Sequence, residues 1–410
     1  MWDGNLNPSS RDVNSTDDLE PLPTLVVEIE RLLPGGVGLA HAEGLTLFVS
    51  LAAPGDMVRV QIERRRGKVS FASIIEVIKP SPARVEPPCP YFGRCGGCDF
   101  QQLNYETQLQ AKVEIIRDCL RRIANIADPP EIAIHPSPKQ WQYRARANWQ
   151  FDPHTRYLGY FEAGSHRVCD VEVCAVLVPD LQNTLEDLRA QIRNDSFPTV
   201  KNVEVVAGDE GVSMAPGGGG FATKNVSRRI GDEAYHFSAD AFFQVNHELL
   251  EPLIHEAAGN ARGAVAMDLY CGVGLFTVPL ARGFERVVGV ESNPTAARFA
   301  RLNLRNAQLE SARIITARVG EWLNSQSLES EAIDFLLLDP PRAGAENSVI
   351  KGILARRPRQ ISYVSCDPAT LARDLKKLLA AGYFLDSVAA FDMFPQTHHV
   401  ETVVRLAARF

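Results

Sequence analysis

The chain has 410 residues, 45% of them hydrophobic and 23% charged, which is typical of a folded protein of two or three domains. No apolar run approaches the roughly 20 residues of a membrane span, and the N-terminus lacks a signal-peptide pattern, so we expect a cytoplasmic protein with no membrane partner. The net charge of −7 excludes a uniformly basic chain, so any nucleic-acid surface must be a local patch.

The first 80 residues divide into a tail and a small β-domain. Residues 1–20 carry five acids against one base, and we expect a disordered tail. Residues 21–80 alternate apolar and polar positions at 25–29, 46–49, 57–63 and 68–78, which predicts about five strands in an OB-like barrel. The run RRRGK at 64–68 caps one hairpin, and it suits a solvated turn and an RNA contact equally well.

Residues 81–235 form the predicted central α+β domain, which opens with a cluster of cysteines. Cys89, Cys95 and Cys98 are separated by five and two residues, and either Cys174 or Cys169 is available as a fourth ligand. Closely spaced thiols in a cytosolic chain fit zinc or an iron–sulfur cluster, and the spacing does not choose between them.

Three further segments of the central region carry predictions. Residues 104–124 have the pattern of an amphipathic helix, and the four glycines at 217–220 form a flexible run. The run WQYRAR at 141–146 interleaves basic and aromatic residues. It suits an RNA-contacting strand and an exposed strand with snorkelling arginines equally well.

From residue 236 to 410 the pattern becomes regular. Apolar strands at 264–269, 286–290, 333–338 and 361–364 alternate with helical stretches, which predicts an α/β Rossmann-like domain with a doubly wound parallel sheet. Ligands of such sheets bind at the carboxyl ends of the strands.

The first predicted strand of this domain leads into the glycine-containing turn DLYCGVGLF at 268–276. Gly272 allows a ligand to approach the backbone closely, and Glu291 ends the next strand, where an acid binds ribose hydroxyls in such folds. A nicotinamide-dependent oxidoreductase is the alternative, but its third glycine is replaced by Thr277. The turn instead resembles the first motif of S-adenosylmethionine-dependent methyltransferases.

Two more strands end in reactive side chains. Asp339 begins the stiff turn DPPR at 339–342, and Cys366 precedes a helix predicted to start at Asp367 and Pro368. Because a helix N-terminus favours an anion, we expect the Cys366 thiolate to be stabilised. A buried structural cysteine is the alternative for Cys366 taken alone.

The C-terminal half resembles the uracil-C5 RNA methyltransferase family, which makes 5-methyluridine. The matching stretches are FFQVN at 242–246, the 268–276 turn, DPPR at 339–342, SCDPATLARD at 365–374 and DMFPQTHHVE at 392–401. The resemblance implies that S-adenosylmethionine is bound by Gln244, Tyr270, Gly272, Glu291 and Asp339. It also implies Cys366 as the nucleophile and Glu401 as the base. Asp367 and Leu275 depart from the usual pattern, and Leu275 leaves one hydrogen bond to the cofactor open.

The chemistry of this family explains why a thiol and a carboxylate are required. Uracil C5 attacks a methyl group only after a thiolate has added to C6, and a base must then remove the C5 proton. A base inside folded RNA must also leave its stack, which favours an aromatic neighbour such as Phe242 or Phe243. We expect at least one of these two rings to pack in the core.

The family resemblance extends to the cysteines and the barrel. Cys89, Cys95 and Cys98 resemble the cluster motif of members that carry a 4Fe–4S centre, with Cys174 as the fourth ligand and Cys169 as a spare. We expect this cluster to be structural or to dock RNA. The barrel resembles a TRAM-type RNA-binding module, and barrel plus cluster imply 23S ribosomal RNA as the substrate. Transfer RNA, or a catalytically inactive iron–sulfur RNA-binding protein, are the alternatives, and no obligate protein partner is evident.

Overall fold

A computed structural model describes residues 23–198, 200–216, 223–325 and 332–409. These residues form four sheets of six, five, two and eight strands. The predicted tail at 1–20 and the glycine run at 217–220 lie outside the described residues. Among the helices of these four ranges, none combines the length and the apolar character that a bilayer crossing requires.

The N-terminal sheet wraps around a hydrophobic core of its own. Its strands are β1 (Thr24–Glu28), β2 (Arg31–Leu32), β3 (Gly38–Ala42), β4 (Leu45–Val49), β5 (Met57–Arg66) and β6 (Val69–Lys79), in the order β1-β5-β6-β4-β3-β2. Leu25 and Val27 alternate with exposed neighbours, as expected for a strand with one buried face. Four of these strands lie where strands were predicted, whereas β2 and β3 were not located from the sequence.

The middle of the chain forms an antiparallel sheet with one covering helix. The order is β10-β9-β8-β11-β12, and α2 packs against β11 and β12. A separate hairpin, β13 with β14, follows. The bounds are β8 (Arg146–Asp152), β9 (Tyr157–Phe161), β10 (Val168–Asp170), α2 (Pro179–Arg193), β11 (Asn202–Gly208), β12 (Gly211–Ala215), β13 (Val226–Ile230) and β14 (Glu233–Phe237).

The eight-stranded sheet includes elements from two parts of the chain. The helix α1 (Tyr105–Arg122), predicted at 104–124, packs on its helix α8, and β7 (Ile132–His135) pairs in parallel with its strand β20. The other elements are α3 (Leu250–Ala258), β15 (Gly263–Leu269), α4 (Thr277–Gly283), β16 (Phe284–Glu291), α5 (Pro294–Asn306), β17 (Ala312–Thr316), α6 (Val319–Ser325), β18 (Phe335–Leu338), α7 (Asn347–Arg356), β19 (Gln360–Ser365), α8 (Pro368–Ala380), β20 (Tyr383–Phe391) and β21 (Glu401–Ala408).

The order of this sheet is β17-β16-β15-β18-β19-β21-β20-β7, with only β21 antiparallel to its neighbours. The chain moves from β15 outward to β17 and then returns to the other side of β15 with β18. The order therefore reverses between β15 and β18, the kind of point at which open α/β sheets bind ligands. Successive residues of β18 enter different core clusters, so both faces of the sheet are covered.

Candidate active site at the sheet edge

The carboxyl ends of β18 and β19 bring Asp339 and Cys366 to one edge of the sheet. Asp339 follows Leu338, and its amide donates to the Leu269 carbonyl (3.2 Å), so backbone pairing fixes its position. Cys366 follows β19. Glu401 begins the antiparallel strand β21, and the pairing of Ser365 with Thr402 brings it to the same edge. The charges of Glu401 and Asp339 both act on Cys366, so the three side chains form one cluster.

The surroundings of Cys366 oppose the thiolate. Burial, followed by the charges of Glu401 and Asp339, raises the pKa of the Cys366 thiol to about 12, and Arg342 acts in the opposite direction. The expectation that the helix N-terminus would leave a stabilised thiolate is therefore wrong. The helix itself begins as predicted, because the Asp367 carboxylate accepts a hydrogen bond from the Thr370 amide (2.8 Å) and Pro368 follows the cap.

The two carboxyls of this cluster retain protons more readily than exposed acids do. Burial raises the pKa of Asp339 to about 7. Burial and the neighbouring charge of Asp339 raise the pKa of Glu401 well above its usual range. Two acids in one buried site disfavour each other's ionisation, so the site can exchange protons near neutral pH.

The turn after β15 is held by Glu291. The Gly272 amide donates to Glu291 Oε2 (2.9 Å), and the Asn293 amide donates to Oε1 (2.6 Å). Tyr270 and Gly272 both have positive φ, 65° and 54°, and a Cβ added to Gly272 would meet nothing within 4 Å. Open space beside this backbone is what close approach of a ligand requires.

Thr277 occupies the position at which a dinucleotide-binding turn has its third glycine. Its hydroxyl donates to Asp268 Oδ2 (2.5 Å), and burial raises the pKa of Asp268 to about 7 against the effect of this bond. From the sequence, Thr277 was noted only as the residue in place of a third glycine. A hydroxyl at the start of a helix nine residues after a buried acid was the available signal.

The segment FFQVN at 242–246 contributes Phe243 to a core cluster of the eight-stranded sheet, and Gln244 is buried. Phe243 stacks on Phe237 with ring centroids 4.0 Å apart, so the expectation that one of the two rings packs in the core is confirmed. Phe242 is 58% exposed, and the Arg146 guanidinium lies 5.7 Å from its ring centroid.

The run at 141–146 is not an exposed strand with snorkelling arginines, and its contact with RNA stays a prediction. The Tyr143 hydroxyl is buried and donates to the Pro395 carbonyl (2.9 Å). Arg146 donates to the carbonyls of Ala239 and Ala241 and pairs with Glu204. These partners are distant in sequence, so the interleaved pattern alone could not reveal them.

Arg342 and His399 join two of the motif stretches. An Arg342 nitrogen lies 2.9 Å from His399 Nδ1, and the Arg342 charge also favours the Cys366 thiolate. Both residues lie in stretches that match the family, but no role was predicted for either. Their place in the matching stretches was the only available signal.

The four predicted cluster cysteines line one pocket, together with Arg144 and Tyr160. Burial raises the pKa of Cys95 and Cys98 to about 12, and it raises the pKa of Cys174. Cys169 lies on β10, outside the lining of this pocket, and its sulfur accepts a hydrogen bond from Arg94 (3.3 Å). Across the described ranges, no three or more His, Cys, Asp or Glu side chains already have the spacing of a metal site.

Comparisons with known proteins agree with this organisation. Residues 223–409 match the family model tRNA (Uracil-5-)-methyltransferase, and residues 25–83 match the TRAM domain of tRNA (uracil(54)-C(5))-methyltransferase. The 23S rRNA (uracil(1939)-C(5))-methyltransferase of Pseudomonas putida is 34% identical over 93% of each chain. An RNA methyltransferase of Aquifex aeolicus is 31% identical over 94% of this chain and 99% of its own.

A solved structure shares most of the fold. It is the tRNA (uracil-54, C5)-methyltransferase of Pyrococcus abyssi in complex with S-adenosyl-L-homocysteine, with a TM-score of 0.73 and 27% identity over 93% of this chain and 100% of that one. Relatives that match along nearly their whole length show the family as well as the fold. The chain belongs to the S-adenosylmethionine-dependent RNA uracil-C5 methyltransferases, and it methylates C5 of a uridine in RNA.

Proposed function

We propose that Cys366 is the nucleophile and Glu401 the base, and that the substrate is a uridine of 23S ribosomal RNA. The observation that carries the catalytic assignment is the cluster of one thiol and two buried carboxyls at the switch-point edge of the sheet. A thiol can add to uracil C6, and a carboxylate with a raised pKa is a stronger base than an exposed one.

The bonds and protons of this reaction balance with the residues of the cluster. The Cys366 proton leaves first, and Asp339 is a neighbouring carboxylate that can accept it. The sulfur bonds to C6, and the resulting enolate attacks the methyl group of S-adenosylmethionine from C5, which releases S-adenosylhomocysteine. Glu401 then takes the C5 proton, the C5–C6 double bond re-forms, and the bond between sulfur and C6 breaks with its electron pair returning to sulfur. Asp339 returns its proton to the Cys366 thiolate, and Glu401 releases the C5 proton to solvent. Glu401 must be ionised to take the C5 proton, so turnover rises with pH.

The cofactor assignment rests on the turn after β15. We propose that Glu291 receives the ribose hydroxyls, that Gly272 and Tyr270 border the ligand, and that Gln244 and Asp339 contribute further contacts. The open space beside Gly272 and the position of Glu291 at the end of β16 support this assignment. Phe242 is the exposed ring of the segment FFQVN, two residues before Gln244, and we propose that the extruded base stacks on it.

We propose a 4Fe–4S cluster held by Cys89, Cys95, Cys98 and Cys174. The donor set fits, because four thiols line one pocket and no carboxylate does. Arg144 Nε is buried there without a hydrogen-bond partner, and the Arg144 charge lowers the pKa of Cys98, so this cation suits an anionic group. The cluster would supply a cross-link between loops, and no step of methyl transfer runs through it.

Ribosomal RNA is supported by full-length similarity to bacterial 23S enzymes, with 34% identity to that of Pseudomonas putida. Transfer RNA is the second candidate, because both matching family models and the Pyrococcus abyssi structure carry transfer-RNA names. Mass spectrometry of nucleosides from separated ribosomal and transfer RNA of a deletion strain decides between them. We expect 5-methyluridine to fall in 23S RNA. Loss confined to transfer RNA would contradict the ribosomal assignment.

A further inference from the structure

The loop at residues 392–400, which connects β20 to Glu401, is held by an unusual number of contacts from outside the sheet. Asp392 forms an ion pair with Lys112 of α1, and both side chains are completely buried. Lys112 also donates to the Phe394 carbonyl (3.0 Å). The loop before the proposed base is therefore anchored to a helix that is about 280 residues away in sequence.

Gln396, in the middle of this loop, has a left-handed backbone with φ of 68°. This region is costly for a residue other than glycine, and it persists where the surroundings over-determine it. The Gln396 amide donates to Gln108 Oε1 (2.9 Å), and Gln108 Nε2 donates to Gln396 Oε1 (3.0 Å). Gln108 and Gln396 are both buried, and Gln108 Nε2 also donates to the Leu103 carbonyl (3.0 Å), so this one side chain joins the loop to the start of α1.

The segment at 95–100, which contains Cys95 and Cys98 and is called the cysteine segment below, also binds Gln396. The amides of Asp99 and Phe100 both donate to the Gln396 carbonyl, at 3.1 and 3.0 Å. The His398 amide donates to Asp99 Oδ1 (2.8 Å), and His398 Nδ1 lies 2.5 Å from Asp99 Oδ2. Asp99 directly follows Cys98, so α1 and the cysteine segment together enclose one strained residue.

We propose that Gln108 is a positioning residue for the last step of the reaction. Its amide holds Gln396 in the left-handed conformation and thereby sets how the loop leads into Glu401 at the start of β21. Glu401 pairs with Phe391, and its neighbour Thr402 pairs with Ser365, so sheet pairing fixes the backbone of Glu401 on one side. The loop fixes the path of the chain that enters β21 at Glu401. The inference rests on the proposed role of Glu401 as the base that removes the C5 proton.

The test compares Gln108→Ala with Gln110→Ala. Gln110 is an exposed glutamine on the same helix, and its side chain contacts Glu106. Because the displaced Glu401 acts after methyl transfer, Gln108→Ala should lower kcat about tenfold and lower the KM for RNA in proportion, so that kcat/KM stays at the wild-type value. Denaturing electrophoresis during turnover should show more covalent enzyme–RNA complex than in wild type. Gln110→Ala should match wild type in all three readouts.

A second substitution separates positioning from general destabilisation. Glycine adopts positive φ without steric cost, so adding Gln396→Gly to Gln108→Ala should recover much of kcat and reduce the trapped complex. If Gln108→Ala does not fold, Gln108→Glu replaces it, since it keeps an acceptor for the Gln396 amide, and an intermediate kcat with accumulated complex is expected.

The outcomes also distinguish the inference from the proposed mechanism. Wild-type enzyme that forms no complex with RNA containing 5-fluorouridine contradicts the proposed mechanism. If the wild-type enzyme is trapped normally, the positioning role is decided by Gln108→Ala. The role is overturned if this variant turns over at the wild-type rate, or if its kcat falls without accumulated complex.

Discussion

The sheet-edge cluster and the cysteine pocket contain thiols with the same raised pKa, but only the sheet-edge thiol has carboxyls beside it that add to the shift. Burial is the largest cause in both, and it raises the pKa of Cys366 and of Cys98 to about 12. At Cys366 two carboxyls, Glu401 and Asp339, add to the shift and outweigh the opposing Arg342, whereas at Cys98 the neighbouring charged side chain is Arg144, which opposes the shift. Carboxylates beside a thiol can accept its proton, and a guanidinium stabilises an anionic group. The neighbouring charge therefore separates a proposed nucleophile from a proposed cluster ligand, and the thiol pKa alone does not.

The largest effect is expected from removing the base at the sheet edge. Glu401→Gln preserves shape but not basicity, so turnover should fall on the order of a hundredfold to ten-thousandfold. The enzyme should still add to C6 and transfer the methyl group, and it should then accumulate as a covalent complex on denaturing gels. Glu248→Gln, at an acid that pairs with Lys139 on the surface, should leave turnover unchanged. Normal turnover by Glu401→Gln would assign the proton to another group.

The cysteine pocket should respond in its metal content. Protein purified without oxygen should contain about four iron atoms per chain, and Cys98→Ser should lose most of them because one thiolate ligand is missing. Cys169→Ser is the matched control, since Cys169 lies outside the pocket lining and should keep the iron. Iron analysis and visible absorbance measure both variants. Stoichiometric zinc in protein never exposed to air would overturn the cluster assignment.

The buried carboxyl of Asp268, at the end of β15, should make the free energy of unfolding depend on pH. Asp268 has a pKa of about 7 in the fold, above the unfolded value of about 3.9. Its stabilising contribution is therefore complete below about pH 4 and is lost as pH rises through about 7. Between about pH 5 and pH 8, the free energy of unfolding of wild type should fall by roughly 2–3 kcal/mol relative to Asp268→Asn. A difference that stays constant in urea titrations at both pH values would contradict the raised pKa.

The smallest effect is expected at the cofactor turn. Glu291→Ala removes a charge-assisted acceptor, which typically costs about 1.5–3 kcal/mol, so affinity for S-adenosylmethionine should fall about tenfold or more. Calorimetry measures the change. Glu285→Ala, at an exposed acid near the other end of β16, should bind the cofactor as wild type does, and unchanged binding by Glu291→Ala would exclude the ribose role.

The sequence was most informative where regular strands end. The four strands at 264–269, 286–290, 333–338 and 361–364 are all present, because apolar runs and helix caps are local signals. The pKa of Cys366 was predicted in the wrong direction, because Glu401 and Asp339 reach it through strand pairing and not through sequence proximity. The local sequence indicates a helix N-terminus, which lowers a thiol pKa. It does not show the burial of Cys366 or the two acids beside it, which raise the pKa.

Contacts between distant segments were the other limit of sequence analysis. The burial of Arg146 against Glu204, and the pairing of Gln108 with Gln396, join residues that no periodicity connects. A glutamine in an amphipathic helix gives no sign that its partner lies almost 300 residues further on.

The most direct test of the central claim is a covalent bond between Cys366 and the target uridine. Fluorine at C5 cannot leave as a cation, so wild-type enzyme mixed with S-adenosylmethionine and 5-fluorouridine-containing substrate RNA should stop after methyl transfer. Peptide mass spectrometry should then find the nucleotide on Cys366, and Cys366→Ala should form no complex. An adduct on another residue, or an undiminished adduct in Cys366→Ala, would contradict the account.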